Sequence, residues 1–222
     1  MIALIYKDLY LARKILIQIL VICGVFAIIG AINAAKGDIS LIETFMYVYG
    51  FMTVYSIIDR ILYYEEHYKG VYFMRTLPIK ESAIVTNKFI VGLILITFSG
   101  IILLSFTFLL HMALPNNLSQ KEIMFLILIL GVNLIYCAIY LAMYFFVGYA
   151  KARQYVIGIL MVLMLTPAVI GMIAQEWMLK ALNFLFATPY IPPVVLIIGI
   201  GIYAICWTIS IHAFKHESQK AA

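Results

Sequence analysis

Long uncharged stretches dominate the chain, at residues 15–35, 89–110, 123–150, 155–174 and 194–211. A helix needs about 20 predominantly apolar residues to cross a hydrocarbon core of roughly 30 Å. A charge at mid-bilayer costs about 2.5–3.5 kcal/mol on insertion scales, so these runs read as transmembrane helices. A weaker run lies near residues 41–62. Only the part between Glu43 and Asp59 is uncharged, about 22 Å of helix, and it is rich in Tyr, Thr and Ser. It reads as a sixth span whose ends meet water or protein. The pattern predicts an all-α, polytopic membrane protein in one domain, 1–222, with spans near 15–35, 41–62, 89–110, 123–148, 155–174 and 194–211.

Helix boundaries carry their own signals. Ser40-Leu-Ile-Glu43 and Ser119-Gln-Lys-Glu122 are capping boxes, in which the serine oxygen accepts a backbone N–H and the glutamate reaches back to the cap residue. Residues 1–14 read as an amphipathic helix on the inner membrane surface, with Ile2, Ile5 and Leu9 facing lipid. A cleaved leader is not expected, because the first apolar run exceeds a 7–15-residue signal core and Asn33 suits a cleavage site poorly. Thr166-Pro167 should kink the fifth span. The outer loop 175–193, with Trp177, Leu182, Phe184 and Phe186, is apolar enough for a re-entrant or interfacial helix. Ala27 with Ala31, and Gly30 with Ala34, offer small faces for close helix packing.

Composition agrees with this class: 66% hydrophobic and 11% charged residues, against about 25% charged in soluble domains. The net charge of +5 suggests nucleic acid only until the charges are placed. Six spans put twelve Lys and Arg on the side of the termini and three, Lys36, Lys121 and Lys180, on the other. The excess of basic residues on the cytoplasmic side then places both termini in the cytoplasm, in a plasma membrane and with no nucleic acid as partner. Cys23, Cys137 and Cys206 each fall within an apolar run, without the clustering that metal sites and disulfide frameworks need.

The longest inner loop joins spans two and three. Pro78 suits the first turn of a helix, after which Ile79, Ala83 and Ile84 share one face and Lys80, Ser82 and Asn87 lie mostly elsewhere. Such a short amphipathic helix fits either docking to a soluble partner or floating on headgroups. Lys151-Ala-Arg153, between spans four and five, reads as a second contact or as an orienting charge. Polar stripes run along two spans at helical spacing: Tyr49, Thr53, Ser56 and Arg60, and Asn133, Tyr136, Tyr140 and Tyr144. Polar groups in hydrocarbon need partners, so both stripes should face inward. There they either line a cavity for an amphipathic substrate or hydrogen-bond helix to helix.

The stretch from Arg75 to Lys88, reading Arg-Thr-Leu-Pro-Ile-Lys-Glu-Ser-Ala-Ile-Val-Thr-Asn-Lys, resembles the Leu-Pro turn followed by Ile-Val and Lys in ABC-2 type exporter permeases. The Lys7-Asp8 pair, the acidic Glu65-Glu66 and the six-span layout add to the likeness. One departure is that Lys80 stands where a cap serine is usual, with Ser82 two residues on. The resemblance implies a coupling helix seated on a nucleotide-binding subunit, with Leu77, Pro78, Ile79, Lys80, Glu81, Ala83, Ile84 and Lys88 at the contact and Lys151 and Arg153 beside it. It also implies two permease chains per transporter, alike or different. Within the family the chain is most similar to bacterial exporters of amphipathic toxin peptides, the phenol-soluble modulin type. Immunity permeases against antimicrobial peptides share the layout.

No Gly-x-x-x-x-Gly-Lys-Ser/Thr loop occurs, so ATP and magnesium would be bound by a partner ATPase and no cofactor by this chain. Other classes fit less well. Glu65-Glu66-His-Tyr-Lys-Gly70 resembles the Glu-Glu-x-x-x-Arg motif of prenyl-protease-like intramembrane enzymes, but Gly70 replaces the arginine and the histidines form no helical ligand pairs. A secondary transporter would show midplane ionisable groups or broken helices. A membrane scaffold remains compatible with the residues.

Overall fold

The computed structural model describes residues 2–34, 40–70, 79–113, 120–173, 188 and 190–221. These form long helices: α1 (Ile2–Ala34), α2 (Ser40–His67), α3 (Glu81–Ala113), α4 (Gln120–Val147), α5 (Tyr149–Ile173) and α6 (Ile191–Ala221). Three of the described helices contain stretches long and apolar enough to cross a membrane, at Glu81–Ser105, Ile123–Val147 and Ile191–Lys215. Each such 25-residue stretch is about 37 Å long, which exceeds the hydrocarbon core.

Apolar residues both fill the interior and cover the outside. The core joins Val54, Ile57 and Leu62 of α2 to Val85, Phe89 and Leu95 of α3 and to Cys137, Tyr140 and Leu141 of α4. The outward faces are equally apolar, with Ile17, Val21 and Ile28 on α1, Ile101 and Leu104 on α3, and Ile197, Ile200 and Ile205 on α6 all exposed. A helix that is apolar all round, yet half uncovered, has lipid as its solvent.

The closest pairing is between α4 and α6, at two glycines. A Cβ on Gly131 would lie 2.9 Å from the backbone nitrogen of Leu196, and one on Gly199 would lie 2.9 Å from the carbonyl oxygen of Gly131. Only hydrogen fits at either point, so the two backbones touch. α3 joins this pair through Gly92, where a Cβ would meet Cys137 Sγ and Tyr203 Oη, each at 2.8 Å. There the Tyr203 hydroxyl donates to the carbonyl of Phe89, and the Trp207 indole donates to Thr86 Oγ1 at 3.2 Å.

Three boundaries differ from expectation. Residues 2–14 form no separate surface helix but are the first turns of a 33-residue α1, because no Gly or Pro interrupts the chain before Gly24. Ile5 and Leu9 pack against the core instead of facing outward, whereas Ile2 is exposed. Lys151 and Arg153 belong to the first turns of α5 and not to a loop. Gly148 alone makes the break, at φ 81°, donating to the carbonyl of Tyr144 at 3.1 Å while its own carbonyl accepts from Ala152 at 3.0 Å. A left-handed glycine is the ordinary way to end a helix. Finally, the segment after Pro78 is continuous with the third span: α3 starts at Glu81 and runs unbroken. Leu77, Pro78 and residues 175–187, including the expected outer helix, lie outside the described residues, as do the side chains of Ala27, Gly30, Ala31 and Ala34. Helix α5 stays helical through Thr166-Pro167.

Candidate functional site

One end of the bundle gathers the starts of α1, α3 and α5 and the ends of α2 and α4, and the charges collect there in two groups. The first is sealed. Lys88 Nζ lies 2.8 Å from Asp8 Oδ2 and 2.7 Å from Glu65 Oε1. Lys7 Nζ stands 2.7 Å from the same Glu65 oxygen and 3.4 Å from Asp8 Oδ1. The Asn87 amide donates to Asp8 Oδ2 at 2.8 Å, and the Tyr144 hydroxyl reaches Glu65 Oε2 at 3.5 Å. Two ammoniums and two carboxylates cancel, which makes burial tolerable. The Lys88, Asp8 and Glu65 side chains are 3%, 0% and 2% exposed, while Lys7 is 37% exposed.

The pairing sets the protonation states. Burial pushes the Glu65 carboxyl up, but Lys88 and Lys7 overcome this and hold it below its ordinary range. Burial likewise lowers the Lys7 ammonium, and Glu65 with Asp8 reverses the effect, leaving it raised. The ion pairs among the four groups tie α1, α2 and α3 together. Lys7-Asp8, Glu65 and Lys88, which in the sequence are scattered marks of family resemblance, converge at this point. Their separations of 58 and 80 residues conceal it from any local pattern, and the missed signal is the presence of charges at the edges of apolar runs.

The second group is open. Asp59 Oδ1 accepts from the Tyr140 hydroxyl at 2.7 Å and from the Tyr149 hydroxyl at 3.1 Å. Arg153 Nε stands 3.6 Å away, with its side chain 46% exposed and that of Asp59 17% exposed. The rings of Tyr55, Tyr136 and Tyr140 pack around this point with centroids 5.7 to 6.2 Å apart.

Both polar stripes turn inward over most of their length. Tyr49, Thr53, Asn133, Tyr140 and Tyr144 are buried, Ser56 and Tyr136 are half-buried, and Arg60 is exposed with its guanidinium 4.9 Å from the Tyr64 ring centroid. Several members bond across helices: Asn133 donates to the Gly50 carbonyl at 2.8 Å, and Tyr140 and Tyr144 reach α2 as above. Thr53 bonds within its helix, to the Tyr49 carbonyl at 2.7 Å.

The residues expected at a partner contact divide. Lys80 and Lys151 are exposed, and Ile79, Glu81 and Ala83 are half-buried. Ile84 and Lys88 lie inside the bundle, and Arg153 is drawn back onto Asp59. Lys80, in the place of the family's cap serine, accepts from the Ala83 N–H through its carbonyl at 2.8 Å. Glu66, His67, Tyr68 and Lys69 are exposed as well. Among the described residues, no three His, Cys, Asp or Glu side chains gather as a metal site.

An all-α bundle with at least three long apolar helices, lipid-facing flanks and buried neutralised charges defines a polytopic membrane protein. Its sequence matches the family described as ABC-2 family transporter protein over residues 3–215, and the chain belongs to that family. No curated protein and no solved structure gives a significant match.

Proposed function

We propose that this chain is the membrane subunit of an ATP-driven exporter that moves amphipathic peptides out of a bacterial cell. The observation that carries the reading is the family match over residues 3–215, nearly the whole chain. Its single domain crosses the plasma membrane six times with both termini inside, as the twelve-to-three split of basic residues favours. The chain pairs with a second permease chain and with separate ABC ATPase subunits, since it carries no phosphate-binding loop of its own.

Coupling runs through the start of α3. Leu77, Pro78, Ile79, Lys80 and Glu81 form the contact with the ATPase, flanked by Lys151. Ile84 and Lys88 carry the movement inward, because the charge cluster joins that end of α3 to α1 and α2. Removal of the whole 77–88 segment would also destroy the buried cluster, so the informative variant is confined to the exposed part. Lys80→Glu with Lys151→Glu, both at exposed positions, coexpressed with the ATPase, should leave the permease folded but abolish copurification and peptide-stimulated hydrolysis. Undiminished association and hydrolysis would refute the coupling role. Cysteines at Thr53 and Tyr140 that react with aqueous maleimide only during turnover would favour the inward stripes as the cargo path.

A further inference from the structure

We propose that Asp59, with Tyr55, Tyr136, Tyr140 and Tyr149, is a recognition site for a cationic group on an amphipathic peptide, and that Arg153 is its resident placeholder. The inference rests on the exporter reading and deepens it by naming the charge of the cargo.

Ring faces within about 6 Å attract ammonium and guanidinium groups, more strongly where water is thin. Here three tyrosine rings stand 5.7 to 6.2 Å from one another, and a fourth tyrosine, Tyr149, reaches the same Asp59 through its hydroxyl at 3.1 Å. The carboxylate beside them is aimed by two hydroxyl donors, at 2.7 and 3.1 Å, so its position does not depend on a bound cation. A cation is already there. The Arg153 guanidinium lies 5.9 Å from the Tyr149 ring centroid and faces Asp59.

That cation is loosely held. Its 3.6 Å separation from Asp59 exceeds the 2.7–2.9 Å of a charge-assisted hydrogen bond. The neighbouring cluster shows the contrast: Lys88 is closed onto its carboxylates at 2.7 and 2.8 Å and is 3% exposed, whereas Arg153 is 46% exposed. One carboxylate site is sealed for structure and the other is open to exchange. Val147 and Tyr155, two residues in sequence from Tyr149 and Arg153, are exposed, so a cargo that is part cationic and part apolar meets apolar surface at this end of the bundle. That combination suits an amphipathic helix better than a small hydrophilic cation.

The test uses the full chain in phosphatidylcholine nanodiscs, where a neutral bilayer adds no charge attraction. The probes are a dye-labelled Leu/Lys amphipathic peptide and its Leu/Glu counterpart. The Lys peptide should bind at least tenfold tighter than the Glu peptide, and Asp59→Asn should weaken it about tenfold. Arg153→Gln should tighten it several-fold by removing the competitor. Tyr55→Leu, which leaves the Asp59 hydroxyl donors intact, should weaken it several-fold and decides the matter if Asp59→Asn does not fold. The proposal is overturned if Asp59→Asn or Tyr55→Leu stays within twofold of the parent, or if Arg153→Gln weakens binding. The exporter reading is scored separately, by peptide-stimulated hydrolysis with the ATPase: binding that follows Asp59 and Arg153 without stimulation keeps the site and refutes export.

Discussion

Lys88→Met removes a nearly isosteric side chain's charge from the centre of the buried cluster. The ammonium is 3% exposed and bridges Asp8 at 2.8 Å and Glu65 at 2.7 Å. Breaking a buried pair on one side costs about 3–5 kcal/mol, because the remaining charge is stranded. Lys7 still neutralises Glu65 at 2.7 Å, and Asn87 still donates to Asp8 at 2.8 Å, which places the loss at the low end, about 3 kcal/mol. For a chain of this size each kcal/mol corresponds to roughly 2–4 °C, so the expected fall in apparent Tm is about 6–12 °C. Lys7→Met is the matched comparison. Its side chain is 37% exposed, and water screens what it contributes, so its removal should cost about 1 kcal/mol or less. Differential scanning fluorimetry of the two variants in one detergent measures the difference. Equal shifts, or a fall below about 2 °C for Lys88→Met, would show that the cluster is no structural tie.

Further predictions concern pH and glycine. Glu65 is held below its usual value of 4.5, so its contribution is complete above that pH and is lost as pH falls through the depressed value. Apparent Tm should drop on acidification below about pH 4.5, and Glu65→Gln should flatten that limb while lowering the plateau. At the basic end Lys7 sits above its usual 10.5, so its contribution is complete below that pH and fades only as pH rises beyond it. Gly199→Ala forces a methyl to 2.9 Å from a backbone oxygen and should cost about 1–3 kcal/mol in scanning fluorimetry. Gly201→Ala in the same helix has open space and should be neutral or stabilising, and equal effects would remove the close-contact argument. Gly148→Ala places a methyl-bearing residue at φ 81° and should cost about 1–2 kcal/mol by the same measurement; no loss would mean that the α4–α5 turn adopts another conformation.

What could be read from the chain follows the range of each interaction. The apolar runs are local, so the presence of at least three long apolar helices was legible, as was the inward turn of Asn133, Tyr140 and Tyr144, whose spacing repeats with the helix. Boundaries were less so. Nothing between Ile2 and Gly24 breaks a helix, yet amphipathicity suggested a separate segment, and the buried face proved to be centred on Asp8 and Ala12. Gly148 falls inside the uncharged run 123–150, and only its positive φ marks it as the connection between α4 and α5. The charge cluster and the Asp59 group were illegible because each unites residues from helices distant in sequence, and a lone Lys or Asp at the edge of an apolar run carries no sign of its partner.

The glycine crossing of α4 and α6 has a mechanical consequence. With no layer of side chains between them at Gly131 and Gly199, the two helices meet backbone to backbone, and they meet again further along, where the Phe145 and Phe214 rings lie 5.5 Å apart. Two rods fastened at separate places behave as one strut. A tilt of either carries the other with it.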